Sequence, residues 1–323
     1  MPIQQATRST PRADLGVAYH EFTPADMNFV AEQVLPVLDV PKESATIGVV
    51  TRENAQTVEA RHANGGSFGR VTLGTEDKTY TTADYGLEGQ LTDPDRERFL
   101  DDFEPEAEII QVVKMQMMFQ KEIRAAAALF NTTTWLSTDA TLYTDVSAAP
   151  WDAAASDAIG HVEAAIEQVR KNTGIKPDSM LIGPVTWKNL KHNTAILNKF
   201  SGYPGVVTPT VWKQYVAELL ELQNIFVADG VYNSAKEDQT ASMTDIWSDD
   251  YALIFKRQSG SLALPGLGRT VRWMGPAGVL VNGLETVIQY REEQTESDIF
   301  RVREYVGEFI CDAYFGHLLK VDL

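Results

Sequence analysis

Between Lys42 and Leu91 the chain is β-prone but too thin to fold on itself. The stretches ATIGVVTRE, SFGRVTLG and KTYTTADYGLEGQLT are rich in threonine, and the whole segment carries seven glycines, at positions 48, 65, 66, 69, 74, 86 and 89. Each glycine removes a side chain from a ribbon that has few apolar ones, and an isolated two-stranded ribbon is marginally stable at best. Its unpaired edges are templates for another chain. Such a segment needs cover from elsewhere. It also contains the spacing G-x-S-x-G, Gly65-Gly66-Ser67-Phe68-Gly69, which in a hydrolase exposes a nucleophile between a buried strand and a helix. Here QTVEARHAN is too polar for a central strand and RVTLG continues as strand. The glycines therefore read as a hinge in an extended hairpin, and Ser67 as polar filler.

The texture changes at DPDRERFLDDFEPEAEIIQVVKMQMMFQKEIRAAAALFN. Pro105 fits a first helical turn, Asp101, Asp102, Glu104, Glu106 and Glu108 complement the positive end of the helix dipole, and Lys114, Lys121 and Arg124 follow. A helix from Pro105 to Phe130 would run about 26 residues, or about 39 Å. Its apolar positions, Ile109, Val112, Val113, Met117, Phe119, Ile123, Ala127 and Phe130, exceed one narrow stripe, so it packs on several sides.

Beyond a Thr/Ala/Asp-rich connector the chain alternates helix and strand. SDAIGHVEAAIEQVRKNTG places Ile159, Val162, Ile166 and Val169 on one face, with Ser156 expected as cap and Gly174 as stop. DSMLIG reads as a buried strand and Pro184 opens a helix. TPTVWKQYVAELLEL is a further helix, and NIFVADGVYN, YALIFKRQ and GRTVRWMG are strands. From Glu285 to Val321 the pattern is mostly strand. Upstream, DMNFVAEQVLPVLDVP reads as one helix turning at Pro36, and residues 1 to about 20 lack periodicity, as expected of an arm ordered only against something else.

Composition excludes several functions. Lys and Arg number 28 against 45 Asp and Glu, a net charge of −17, which disfavours a nucleic-acid reader, because that affinity comes from cations displacing counterions. Cys311 is the sole cysteine, so neither an intrachain disulfide nor a thiolate zinc site is available. The opening residues lack the apolar core of a signal peptide, and no apolar run approaches the roughly 20 residues of a membrane span. A soluble protein, intracellular where it is made, is expected.

No chemical motif survives scrutiny. The five histidines include no i, i+4 pair. Cys311 and His317 are too far apart along a strand for a dyad, and Cys311 reads as a small buried hydrophobe. Asp93, Asp95, Glu97 and Glu104 mimic a calcium loop, but Arg98 occupies the glycine position. GLGRTV lacks the third glycine of a dinucleotide site, and Met115, Met117 and Met118 read as packing. No catalytic residue, metal or cofactor is expected. Charge is nevertheless uneven. Glu76 to Glu108 holds twelve carboxylates against Lys78, Arg96 and Arg98, whereas residues 170 to 199 hold six Lys and Arg against Asp178. These are either two solvated faces or complementary contacts between copies.

The order of parts resembles the major capsid proteins of tailed bacteriophages, the Hong Kong 97-type fold, over essentially the whole chain. SDAIGHVEAAIEQVRKNTGIKPDSMLIGPVTWKNLKHNTAILNKF, VADGVYNSAKEDQTASMTDIWSDDYALIFKR and RTVRWMG carry the resemblance by order and spacing. It implies an α+β fold with an N-terminal arm at 1–41 and an extended β-hairpin loop at 42–92 lying over a neighbour. A peripheral domain at 93–150 would contain the spine helix. An axial α/β domain at 151–284 follows, with part of 151–180 assignable to the periphery, and peripheral-domain strands occupy 285–323. The implied function is a non-enzymatic subunit that assembles into hexamers and pentamers of an icosahedral head around DNA. It would reside in the virion after assembly in the host cytoplasm, with scaffolding, portal and decoration proteins as partners. An encapsulin-like cargo shell is the alternative, a serine hydrolase the most distant. Gly65, Gly66, Gly69, Gly74 and Lys78 become candidate assembly residues of the loop, and Asp101, Asp102 and Glu104 candidates for an acidic inner face. Some relatives cross-link a loop lysine to an asparagine, but Lys78 has no matching partner, so no cross-link is expected. No scaffolding segment precedes the arm, so a scaffold is expected as a separate or previously removed protein.

Overall fold

A computed structural model describes residues 10–22, 29–50, 57, 60–61, 70–72, 74–99, 104–153, 156–200, 208–236, 239–260, 264–275, 280–281, 284–285 and 287–321. Two sheets organise these residues. The first is six-stranded and is built around β16 (Ser297–Ile310), fourteen residues long. β5 (Ala83–Thr92) pairs antiparallel with β16 over ten residues, from Ser297↔Thr92 to Val306↔Ala83. On the other edge β16 pairs first with β15 (Ile288–Glu292) and then with β12 (Gly268–Trp273), both antiparallel. The short strands β1 (Thr10–Pro11) and β2 (Val37–Val40) extend the sheet beyond β15 and β12.

Alternation along β16 decides what covers this sheet. Phe300 and Val302 are fully buried against α4 (Pro105–Leu129), where they meet Ile110 and Val113. α4 runs 25 residues, close to the expected span, with Pro105 in its first turn and Glu106 and Glu108 beside it. Gly89 of β5 lets the helix approach, since a Cβ there would lie 2.2 Å from Ile109 Cγ2. The arm differs from expectation. Ala13–Glu21 forms a helix, α1, whose Leu15 and Tyr19, one turn apart, join the cluster under α4. Two apolar residues are a faint signal in sequence, but the groove beside α4 supplies the cover they need. DMNFVAEQVLPVLDVP likewise is not one helix. Only α2 (Ala31–Val34) is helical, and after Pro36 the chain becomes β2, because parallel pairing with Thr270–Trp273 captures it.

The second sheet is five-stranded, in the order β6 (Tyr143–Asp145), β17 (Gly316–Lys320), β11 (Tyr251–Phe255), β7 (Ser179–Ile182) and β8 (Asn224–Val227). Its central strands are buried on both faces. Met180 and Ile182 face the cluster beneath α6 (Ala158–Thr173), α7 (Pro184–His192), α8 (Thr194–Phe200) and α9 (Pro209–Leu219). Leu181 faces the opposite cluster, with Trp135, Trp247, Phe255 and the end of α4. α6 ends at Gly174 in the left-handed region, φ 75°. Its cap is Asp157, whose carboxylate accepts from Gly160 N at 3.0 Å, whereas Ser156 is buried and donates to Ala149 O. Four shorter helical or ribbon pieces complete the fold: α3 (Asp93–Phe99), α5 (Thr132–Leu136), the ribbon of β9 (Val231–Asn233) with β10 (Met243–Asp245), and that of β13 (Leu280–Val281) with β14 (Leu284–Glu285).

Sheet membership does not follow chain order. β12, within 151–284, belongs to the β16 sheet, and β17, within 285–323, joins the second sheet between β11 and β6. β6 itself lies in the span 93–150. Local pattern marks these as strands but carries no information on which edge they join.

His317, in β17, is 2% exposed, with Nε2 2.9 Å from Thr144 Oγ1. Burial disfavours the imidazolium and pushes its pKa from the ordinary 6.5 down to about 4. The unfolded chain therefore takes up this proton first as pH falls. The neutral side chain's stabilisation is fully present above pH 6.5 and is lost progressively toward pH 4, about 3 kcal/mol in all. Urea unfolding of the protein and of His317→Asn at pH 7 and pH 4.5 checks this. The variant, whose side chain does not titrate, is expected to show the smaller loss on acidification.

Candidate functional site

The segment that most needs cover is a hairpin. β3 (Ser44–Val50) pairs antiparallel with β4 (Thr75–Thr81), from Ser44↔Thr81 to Val50↔Thr75. Its root finds shelter within the same chain. Tyr80 is buried against Phe309, ring centroids 6.2 Å apart, in a cluster with Val40, Val271 and Cys311 that Ala45 and Ile47 flank. Thr82 N donates to Glu43 O at 3.0 Å, and the Ser44 hydroxyl donates to Tyr80 O at 2.9 Å. The chain leaving the hairpin crosses β16 at Gly307, where a Cβ would lie 2.4 Å from Thr81 O. The crossing is backbone against backbone.

Farther out, Thr75, Glu76 and Asp77 are exposed. Lys78 pairs with Glu76 at 3.4 Å, within its own strand. Gly74 precedes β4 without strand structure, as do Arg70 to Thr72, so the strand expected from SFGRVTLG begins only at Thr75. Gly65, Gly66, Ser67 and Gly69 lie outside the described residues. The hairpin is also shorter than the loop read from sequence, since Ala83–Thr92 is a full member of the β16 sheet.

The acidic run is largely matched by arginines that sequence order conceals. Glu88 meets Arg301 at 2.5 Å, Asp84 pairs with Arg303, and Arg291 grips Asp93 with two bonds of 2.6 Å. The Arg291 bonds hold the Asp93 carboxyl below its ordinary range. Glu106 receives Arg96 at 2.9 Å and Arg12 at 3.1 Å. Exposed pairs of this kind contribute little stability each, but they set the register of β5 on β16. Glu104 is exposed just before α4, while Asp101 and Asp102 lie outside the described residues. Of the basic stretch, Arg170 and Lys171 share Glu167, and Lys176 pairs with Glu221.

Sequence reading missed one buried carboxylate. Glu122, 2% exposed, accepts from Ala31 N and from Trp247 Nε1, each at 2.7 Å. It ties the spine helix to α2 and to the segment entering β11. Burial pushes its pKa up, although both donors favour the anion. The signal was its phase: three residues after Phe119 and three before Ala125, Glu122 sits on the inward face of α4. Two residues on, the Arg124 guanidinium lies 3.8 Å from the Tyr85 ring centroid and 3.0 Å from Glu308. Cys311 is buried, donates to Gln258 Oε1 at 3.1 Å, and has its thiol pushed up to about 11 by burial. This suits packing, not reactivity. A turn at Ala313–Phe315 separates it from His317, so the two do not share a strand. Among the described residues no group of His, Cys, Asp and Glu is arranged to hold a metal.

A solved structure of a phage-related protein from Bordetella bronchiseptica superposes on this chain with a TM-score of 0.72, covering 98% of each chain at 17% identity. An encapsulin complex from Synechococcus elongatus superposes over 99% of this chain and 93% of its own, with a TM-score of 0.54 and 12% identity. The chain shares the fold of these structures, the α+β Hong Kong 97-type fold. In sequence, the major capsid protein of Burkholderia phage BcepMu is 23% identical over 301 residues, 90% of this chain and 91% of that protein. No protein-family model matches. The labels that the resemblance leads one to expect, extended loop, spine, peripheral and axial, would fall on β3 and β4, on α4, on the β16 sheet and on the β11 sheet.

The Gly307 crossing gives a direct test of the loop's root. Gly307→Ala forces a Cβ into the Thr81 carbonyl and is expected to cost about 1–3 kcal/mol, read as a lower urea midpoint with an unchanged m-value.

Proposed function

We propose that this chain is a major capsid protein, a structural subunit without catalysis that self-assembles into the hexamers and pentamers of an icosahedral head around DNA. The observation that carries the reading is coverage: the similarity to the BcepMu capsid protein spans nine-tenths of both chains, which supports a subunit of the same overall build. An encapsulin-like shell shares the fold, but the sequence relatives point to a phage head. The physical argument agrees. Outside its root, the hairpin presents exposed strand edges that a neighbouring copy would cover, and many modest symmetric contacts then sum to a stable shell.

On this reading the loop lies over an adjacent subunit, with Gly65, Gly66, Gly69 and Gly74 supplying backbone freedom and the half-buried Lys78, beside Glu76, within reach of a neighbour. Assembly takes place in the host cytoplasm with scaffolding, portal and decoration proteins, and the product is the virion. The spine faces inward, and Asp101, Asp102 and Glu104 form an acidic inner surface that repels packaged DNA without reading its sequence. Electron microscopy of the expressed protein is expected to show uniform spherical particles or capsomer rings. A monodisperse monomer at assembly concentrations refutes the proposal, and packaged enzyme in place of DNA favours the cargo shell. Reversing the three charges together, Asp101→Lys, Asp102→Lys and Glu104→Lys, is expected to leave particle yield unchanged and to raise the DNA retained after nuclease and salt washing. Unchanged retention argues against an acidic lining.

A further inference from the structure

The axial unit carries both an apolar socket and an apolar projection, and the two are rooted on opposite faces of its sheet. The socket is a cleft of about 360 Å³ lined by Trp187, Lys191 and His192 of α7, Leu197 of α8, and Pro209 and Trp212 of α9. Trp187 and Trp212 flank the cluster that contains Met180 and Ile182. Leu197 is 42% exposed at its edge. The projection is the β9–β10 ribbon, which registers Asp245 opposite Val231 and Met243 opposite Asn233. Met243 is 64% exposed and Val231 37%. The ribbon is anchored through Ala228, Ile246 and Trp247, which belong to the other cluster, on the Leu181 face.

Charge divides the same way. Residues 187–199 carry Lys188, Lys191, His192 and Lys199 and no carboxylate, whereas residues 229–245 carry Asp229, Glu237, Asp238 and Asp245 against Lys236 alone. A basic-rimmed socket lined mainly by carbon matches a ribbon that exposes a methionine and belongs to an acidic stretch of sequence. Methionine is unbranched, adapts to irregular gaps and packs well against aromatic rings. None of the ribbon's residues lines the cleft.

Resting on the shell reading, we propose that the β9–β10 ribbon of one copy seats Met243 in the Trp187–Trp212 cleft of the next. Because socket and projection are different surfaces, the contact is head-to-tail. Such a contact closes into a ring when its rotation divides the circle and otherwise propagates as a filament. Opposite charge steers the approach and sets the register, while the apolar contact supplies the hold.

The test uses the full chain, assembled, with Met243→Cys and Leu197→Cys introduced together and treated with a short bis-maleimide. Native Cys311 is buried and serves as the background in the unsubstituted protein. The expected result is a covalent ladder on a denaturing gel that extends to the capsomer size, absent from either single variant. Assembled particles that yield no ladder, or only an internally linked monomer, overturn the ribbon–cleft contact while the shell reading stands. An unsubstituted protein that never assembles overturns both. Should the double variant fail to fold, Met243→Asp on the exposed ribbon is the second arm. It is expected to lower particle yield about tenfold or more, since each small loss is repeated over many contacts, with an unchanged monomer unfolding midpoint. Undiminished yield overturns the contact.

Discussion

The pairing of β16 with β5 on one edge, and with β15 and then β12 on the other, is the constraint from which the rest of the structure follows. Over Ser297–Arg301 both edges of β16 are paired and beyond Arg301 at least one edge is, so the alternation of its side chains fixes what each face meets. One face offers Phe300 and Val302 to the spine helix, and the other offers Arg301, Arg303 and Tyr305. A slip of one residue would exchange them, setting arginines against Ile110 and Val113. The cross-strand arginine–carboxylate pairs add to this discrimination. Their contribution to stability is small, but a shifted register would leave several of them unmatched at once.

Glu122 joins this peripheral assembly to the axial unit. Its two donors come from segments more than a hundred residues apart in sequence, one preceding β2 and one preceding β11. Removing a carboxylate from water is costly, and two short hydrogen bonds from uncharged N–H groups offset that cost only where all three groups are held in place. The site therefore favours one arrangement of spine, α2 and axial sheet over nearby alternatives. Arg124, stacked on Tyr85 and paired with Glu308, fixes the same helix against the β16 sheet two residues later.

Much of this was legible in sequence because it is local. Proline and acidic residues announce the start of α4, Gly174 announces the end of α6, and SMLI is apolar at a length only a buried strand would have. What was hidden is what depends on partners distant in the chain. Residues 13–21 become helical because Leu15 and Tyr19 find a groove under α4. VLDV becomes a strand because β12 offers an edge. The acidic run looks unbalanced because its arginines lie some two hundred residues downstream. β12 and β17 are recognisable strands whose sheet is decided only by which edge is vacant. The glycine hairpin was legible as a ribbon in need of cover, but not that its root would find that cover in its own chain.

That root also limits where the loop can bend. Tyr80 is locked against Phe309, and Thr81 presses its carbonyl onto the Cα of Gly307 with no room for a side chain between them. Rotation about this crossing would open the cluster of Val40, Val271 and Cys311 or drive two backbones together. A change in the loop's direction is therefore resisted at its base and along the seven paired positions of β3 and β4. The base of the hairpin is held at one angle to β16, and the cluster of Val40, Val271 and Cys311 depends on that angle.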